Sequence, residues 1–292
     1  MNILLIGQSG QVGSEVYRLL SMKHSVYSFS SSALDLRDGD EILDKFKNLA
    51  PNLVINAAAY TDVSSAEKNI TLARSINALG VKNLALACIK FSVPLFHLST
   101  DYVFEGNKDE SYTEDDPASP INSYGRSKLE GEEIIRGFLN DYLIIRTSWV
   151  FGNGKNFVKT ILNLATNQKE ISVIDNQFGG PTSSLAIAQC IDKITEQYFL
   201  KQEVAWGTYH FCGHPKTSWN HFAKEICRQA KKKEMLNFTP VINSVTSESY
   251  QDNVKRPANS YLSCNKIFSN FGIQQPSWEH ELDKYLDNLN EN

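Results

Sequence analysis

The chain has little that would staple it together or draw it to a charged surface. Its five cysteines, Cys88, Cys190, Cys212, Cys227 and Cys264, are odd in number and far apart, with no Cys-x-x-Cys pair. That argues against a cysteine-held metal or a disulfide framework and leaves the thiols as small core residues of a reducing compartment. Excess positive charge is missing as well. With 29 Lys and Arg against 33 Asp and Glu, the net charge is −4, which provides no field for a nucleic-acid backbone. The run Lys231-Lys232-Lys233 reads as a solvated helix end. Long hydrophobic runs are absent: Ile3-Leu4-Leu5-Ile6 has no cationic lead and stops at Gly7, too short for a signal peptide or a membrane span. A cytoplasmic protein without membrane or nucleic-acid partners is expected. His210 and His214 straddle a strand and a turn rather than sharing a helix face, so no metal is expected there.

What is present is a strand-helix rhythm. Apolar runs at 2–6, 25–29, 53–56, 94–99, 143–147 and 208–212 alternate with amphipathic stretches at 11–20, 40–49, 70–91 and 124–139. That order predicts an α/β fold, a doubly wound parallel (Rossmann) sheet with helices on both faces. The polar segment 105–120 reads as a surface loop. After Val150 glycines and prolines punctuate shorter elements, which suits a smaller C-terminal substrate lobe. The expected partition is a nucleotide-cofactor domain over 1–150, completed by about 185–212, and a substrate lobe over 151–184 and 213–292.

The first strand runs into Gly7-Gln8-Ser9-Gly10-Gln11-Val12-Gly13 and then a helix. Glycines there let a pyrophosphate approach the backbone, and the helix N-terminus offers free N–H groups and a positive dipole end. After the second strand comes Ser30-Ser31-Ser32 in place of a carboxylate. A 2′-phosphate is therefore not repelled, and Ser30 can donate to it; NADPH is favoured, NADH remains possible, and no arginine clamp is evident. Asp35 and Leu36 are candidates to meet the adenine. Asn56-Ala57-Ala58-Ala59 puts small residues at the end of the third strand, where a cofactor lies against the sheet edge in this fold or a helix packs closely.

The fourth strand exits as Ser99-Thr100-Asp101-Tyr102-Val103-Phe104, and Tyr124-Gly125-Arg126-Ser127-Lys128 opens a later helix. Tyr124 and Lys128 share one helical face. A nearby ammonium would lower the phenol's pKa toward the operating pH, fitting Tyr124 to exchange a proton with a carbonyl oxygen that Thr100 also hydrogen-bonds.

With these pieces the chain resembles the extended short-chain dehydrogenase/reductases, and within them the reductases of dTDP-linked 4-keto sugars. The likeness extends to Arg146-Thr147-Ser148-Trp149, to Gln177-Phe178-Gly179-Gly180-Pro181-Thr182 and to Arg256-Pro257, outside the cofactor half. The resemblance implies reduction of the C4 keto group of a dTDP-4-keto-6-deoxyhexose, in deoxysugar synthesis for cell-surface polysaccharide. Tyr124 would protonate the C4 oxygen, Thr100 would orient it, and Lys128 would also bond the nicotinamide ribose. It further implies Thr61 beside the nicotinamide, Val63, Asp101, Tyr102 and Trp149 around the hexose, and Arg256 as counter-ion of the diphosphate. Some members resemble a dimer bridged by magnesium through glutamates. Glu15 matches one such position, but Leu185 and Asn288 stand at the others, and leucine has no oxygen to give. A monomer or a homodimer without a metal bridge is expected.

Two other readings compete. A nucleotide-sugar dehydratase or 4-epimerase shares the fold, but dehydratases place an acidic pair after the strand-end threonine, and here Tyr102 and Val103 follow Asp101. A non-catalytic nucleotide-binding subunit would have no need of Thr100, Tyr124 and Lys128 together.

Overall fold

The computed structural model describes residues 1–201, 204–249 and 254–290. Five strands, β1 (Asn2–Ile6), β2 (Ser25–Phe29), β3 (Leu53–Asn56), β4 (Leu95–Thr100) and β5 (Tyr142–Thr147), join the strand Gly207–His210 in one six-stranded sheet. Counted from its last-formed edge, the order is Gly207–His210, β5, β4, β3, β1, β2, and every pairing is parallel. The doubly wound fold read from the sequence is thus the fold observed. Strand order reverses between β1 and β3, and in an open parallel sheet such a switch point leaves a crevice beyond the strands' carboxyl ends.

Alternation along the strands feeds two cores. Ile3 and Leu5 of β1 and Leu53 and Ile55 of β3 face one side, packing with Val16 and Leu20 of helix α1 (Gln11–Leu20) and with Ile187 and Ile191 of the helix Ser184–Lys201. Leu4, Ile6 and Val54 face the other, against Ile42 and Phe46 of helix α2 (Gly39–Leu49) and Leu84, Cys88 and Ile135 of the helices Val81–Phe91 and Ser123–Phe138. Strands buried on both faces need apolar residues at successive positions, which is why they read as continuous runs.

A third core gathers Phe151 of the short strand Val150–Phe151 with Ile161, Phe222, Ile226, Trp278 and Leu282 from the helices Phe157–Asn167, Trp219–Lys232 and Trp278–Asn290, beside the parallel pair Glu170–Ile174 and Val241–Val245. The C-terminal part is not confined to that core. Leu262, Cys264, Ile267, Phe271 and Ile273 pack with the first sheet core, and Phe271 meets Tyr209 of the last strand edge to face. Covering that exposed strand edge side takes residues from the stretch assigned by sequence to the substrate lobe.

The helix expected over 70–91 departs from regularity. Between the α-helical segments Ile70–Arg74 and Val81–Phe91, residues Ser75–Gly80 form a π turn. The wider turn carries Asn77 inward, where its amide accepts from the Tyr60 N–H (2.8 Å) and donates to the Tyr60 carbonyl (3.0 Å) and the Ser127 hydroxyl (2.9 Å). π turns recur at functional sites for this kind of reason. Here one side chain ties the segment after β3 to the helix that carries Tyr124.

Candidate active site

A cavity of about 990 Å³ opens at the switch point, at the upper end of the range for small-molecule and cofactor sites. Its floor is the glycine loop. Gly7 has φ +88°, and a Cβ there would strike the backbone of Ala57 and Ala58, while one at Gly13 would strike the Gly7 carbonyl. Gly7 therefore serves the turn and Gly13 the close approach of α1 to it. Gly10 caps α1 without a side-chain bond, so the first-turn N–H groups face the cavity unclaimed by any side chain. Gly7, Ser9, Gly10, Gln11 and Val12 line the cavity, and Gly13 lies behind it.

Beyond the loop, Asp35, Leu36, Ala57, Ala58, Ala59 and Thr61 all reach the wall. At the serine cluster the lining residue is Ser31, whereas Ser30 turns its hydroxyl to Ser32 (2.8 Å). An arginine does stand here, contrary to the sequence expectation. Arg37 lines the same end and grips Asp35 through Nε (3.0 Å) and Nη2 (2.6 Å). It was missed because it follows Asp35 around a turn rather than ending the second strand.

The reactive wall is built from β4 and the helix Ser123–Phe138. Asn122 caps that helix by accepting from the Gly125 N–H (2.8 Å). Gly125 sits where a Cβ would strike the Tyr102 carbonyl, so the helix closes on the turn after β4 and Tyr124 arrives beside Thr100. The Thr100 hydroxyl donates to the Asp101 carboxyl (3.0 Å), accepts from the Tyr102 N–H (3.2 Å) and acts on the Tyr124 phenol beside it. Tyr102 meets the Tyr124 ring edge to face at 5.9 Å. Lys128, one turn on and 1% exposed, donates to the Leu98 carbonyl (2.7 Å).

The electrostatics differ from the expectation drawn from spacing. Burial pushes the Tyr124 phenol above its ordinary range, with the bond from Thr100 opposing and the Asp101 carboxyl adding to the rise. The lysine does not reverse this, because its nitrogen is drawn to Leu98 and His97 rather than to the phenol. Burial lowers Lys128 itself to about 8, against the attraction of Glu132. The result is a neutral phenol able to give a proton, next to a lysine that titrates near physiological pH. Burial also raises Asp101 to about 7, although it accepts from Thr100 (3.0 Å).

The remaining wall faces the third core. Val63, Asp101, Tyr102, Trp149 and Arg256 line it. Arg256 reaches toward the Tyr102 hydroxyl and the Ser64 hydroxyl, both at 3.4 Å. Trp149 holds φ +47°, an uncommon conformation for a bulky residue, with Gly179 beneath its ring where no Cβ would fit. Trp219 stacks on it and also lines the cavity; sequence reading passed over it for want of a motif. His97 was likewise missed, being a single polar residue inside an apolar strand, and Asn56 was read only as the head of the small residues that follow it.

Glu15, the one acidic residue at the glutamate positions discussed above, is paired with Arg18 (2.8 Å). Among the described residues no group of three or more His, Cys, Asp or Glu is placed to hold a metal ion. Nor is any described helix long and apolar enough to cross a membrane.

The family described as RmlD substrate binding domain matches residues 1–291. A dTDP-4-dehydrorhamnose reductase of Aggregatibacter actinomycetemcomitans is 40% identical over 96% of this chain and 96% of its own length. Among solved structures, a dTDP-4-dehydrorhamnose reductase of Clostridium acetobutylicum superposes with a TM-score of 0.93 at 34% identity, covering 99% of this chain and 100% of that one. The Bacillus anthracis reductase, solved in complex with NADP, has a TM-score of 0.91 at 34% identity over 98% and 99% of the two chains. On sequence and on fold together, over essentially its whole length, the chain belongs to the RmlD substrate binding domain family.

Proposed function

We infer that this protein reduces the C4 keto group of dTDP-4-dehydrorhamnose with NADPH, giving dTDP-L-rhamnose for polysaccharide synthesis. The observation that carries the reading is the meeting of Thr100, Tyr124 and Lys128 on one wall of a cavity whose floor is the glycine loop, in a chain 40% identical to such a reductase. The loop fits the cofactor: Gly7, Gly10 and the uncapped start of α1 leave backbone N–H groups for a pyrophosphate. Ala57, Ala58, Ala59 and Thr61 would flank the dinucleotide, with Ser31, Asp35, Leu36 and Arg37 at its adenosine end. When bound, the cofactor supplies the hydride.

The chain's own residues do the rest. Thr100 and Tyr124 hold the keto oxygen between two hydroxyls, and Tyr124 gives it a proton as the hydride reaches the carbon. Lys128, charged, offsets the phenolate left behind and hydrogen-bonds the nicotinamide ribose. Val63, Asp101, Tyr102 and Trp149 enclose the hexose, and Arg256 pairs with the diphosphate. A metal bridge between subunits does not fit these residues, since Leu185 lacks a ligand atom and Glu15 is engaged by Arg18. The reading is of a cytoplasmic monomer or a homodimer joined without metal.

The test is incubation of the purified protein with dTDP-4-dehydrorhamnose and NADPH, following cofactor oxidation and identifying the sugar. Formation of dTDP-L-rhamnose supports the reading. Oxidation with only another dTDP-4-keto sugar moves the specificity, and no oxidation with any such sugar overturns it.

A further inference from the structure

Behind the cavity wall Lys128 continues into a buried polar chain. Asn56 of β3, His97 of β4 and Lys128 are 0%, 1% and 1% exposed. The Asn56 carbonyl oxygen accepts from the Ala58 N–H at 3.0 Å. Its amide nitrogen then faces His97 Nδ1 at 3.1 Å, and His97 Nε2 faces Lys128 Nζ at 3.2 Å.

These contacts constrain protons. An amide NH₂ only donates, so Nδ1 must accept and the hydrogen of neutral His97 sits on Nε2. Nε2–H then points at Nζ, and only an uncharged amine has a lone pair to receive it. An ammonium would need Nε2 bare and the hydrogen on Nδ1, facing the Asn56 NH₂. Relief would require Asn56 to turn its amide over and give up the Ala58 N–H. The three side chains are buried, and an unmade bond in a buried site is costly.

We propose that His97 is a positioning residue for Lys128: anchored by Asn56, its tautomer is coupled to the charge on the lysine. The uncharged lysine goes with the hydrogen on Nε2 and Asn56 locked to Ala58. The charged lysine goes with the hydrogen on Nδ1 and Asn56 released. Because Ala58 lines the cofactor side of the cavity, the lysine's charge and the set of that wall are linked. The proposal rests on the reading of Lys128 given above.

Other groups around the cluster account for neither tautomer. On its own helix Lys128 faces Glu132, which is held by Arg146 of β5 (2.7 Å), Arg136 (3.0 Å) and the Ser99 hydroxyl (2.5 Å). Tyr124 lies one turn back, and Asp101 acts on that phenol rather than on the lysine. From β3 only the neutral Asn56 reaches in. Burial and Lys128 keep His97 well below its ordinary pKa, so it stays neutral while the lysine titrates.

The test needs no substrate. In protein with ¹⁵N-labelled histidine and ¹³Cε-labelled lysine, the imidazole shifts report which nitrogen bears hydrogen, and the lysine carbon reports charge. The expected result is Nε2–H above the lysine's midpoint and Nδ1–H below it, the two changes sharing one midpoint near pH 8. A His97 tautomer that stays fixed while Lys128 titrates overturns the proposal. His97→Gln supplies a second reading: a carboxamide oxygen can accept from the ammonium at no tautomeric cost, so the lysine midpoint should rise by about one to two pH units. The alkaline limb of kcat should move with it. An unmoved midpoint in a folded His97→Gln protein also overturns the proposal. If instead Lys128→Met turned over normally, the role given to the lysine would fall while the tautomer coupling stood.

Discussion

The indole rings of Trp149 and Trp219 stack with centroids 3.5 Å apart and planes within 6°, joining the strand side of the cavity to the first turn of a helix in the third core. Trp149 holds its left-handed backbone with this ring above and Gly179 below. Such strain persists only where the surroundings over-determine it. Trp219→Leu should free the Trp149 indole. KM for the sugar nucleotide should rise about 3- to 10-fold, the worth of one aromatic pair, with NADPH affinity unchanged. Steady-state kinetics at saturating cofactor check this, and an unchanged sugar KM would remove the pair from substrate binding.

Tyr124→Phe should lower kcat by about 10²–10⁴-fold, the usual worth of a positioned proton donor. NADPH affinity should stay within a factor of a few, since the ring remains. Fluorescence titration separates the two quantities. Turnover close to normal would show that another group protonates the oxygen.

Cofactor choice is expected to answer to Ser31 and Arg37 more than to Ser30, because those two line the cavity and Ser30 does not. Ser31→Asp should cut the NADPH to NADH ratio of kcat/KM about tenfold or more by placing a carboxylate near the 2′ position. Arg37→Ala should weaken NADPH with little effect on NADH. A larger change from Ser30→Asp than from Ser31→Asp would mean the ribose lies elsewhere.

Asp101 should make the protein less stable as pH rises from about 4 to about 7. Its folded pKa, raised by burial to about 7, lies above the value of 3.8 for a free side chain. The folded state therefore binds the proton more tightly, and stability present at low pH is lost as pH climbs through that window. One carboxyl oxygen, Oδ2, has no hydrogen-bond partner, consistent with a site that does not favour charge. Asp101→Asn should remove this slope and raise stability at pH 8, by ~4 kcal/mol as an upper bound for a shift of this size. Denaturant melts across pH measure it; a slope equal in both proteins would show that Asp101 ionises freely.

How much of this was legible beforehand depended on the reach of each signal. The inner sheet strands were visible because burial on both faces demands continuous apolar runs, and β1 spans the residues expected; the edge strand β2, also where expected, is not buried on both faces. The glycine loop, and Tyr124 with Lys128, were visible because a turn and a helical repeat are local patterns. The phenol's raised pKa was not, since spacing brings Lys128 near Tyr124 but says nothing of the Leu98 carbonyl and His97 that draw its nitrogen away.

By itself, then, the sequence determined the strand-helix order, the glycine turn before α1 and the helical spacing of Tyr124 and Lys128, all consequences of interactions a few residues apart. Only the tertiary structure decided that Asn56, His97 and Lys128 form one buried chain, that Trp219 meets Trp149, that Arg37 shares a wall with Ser31, and that Leu262 and Phe271 cover the sheet. Apart from Arg37 and Ser31, which one short turn segment brings together, those meetings join residues far apart along the chain, and their positions follow from how whole elements pack. Desolvation in turn depends on what surrounds a group in space, so the charges of Tyr124, Lys128 and Asp101 were settled only once the cavity had closed around them.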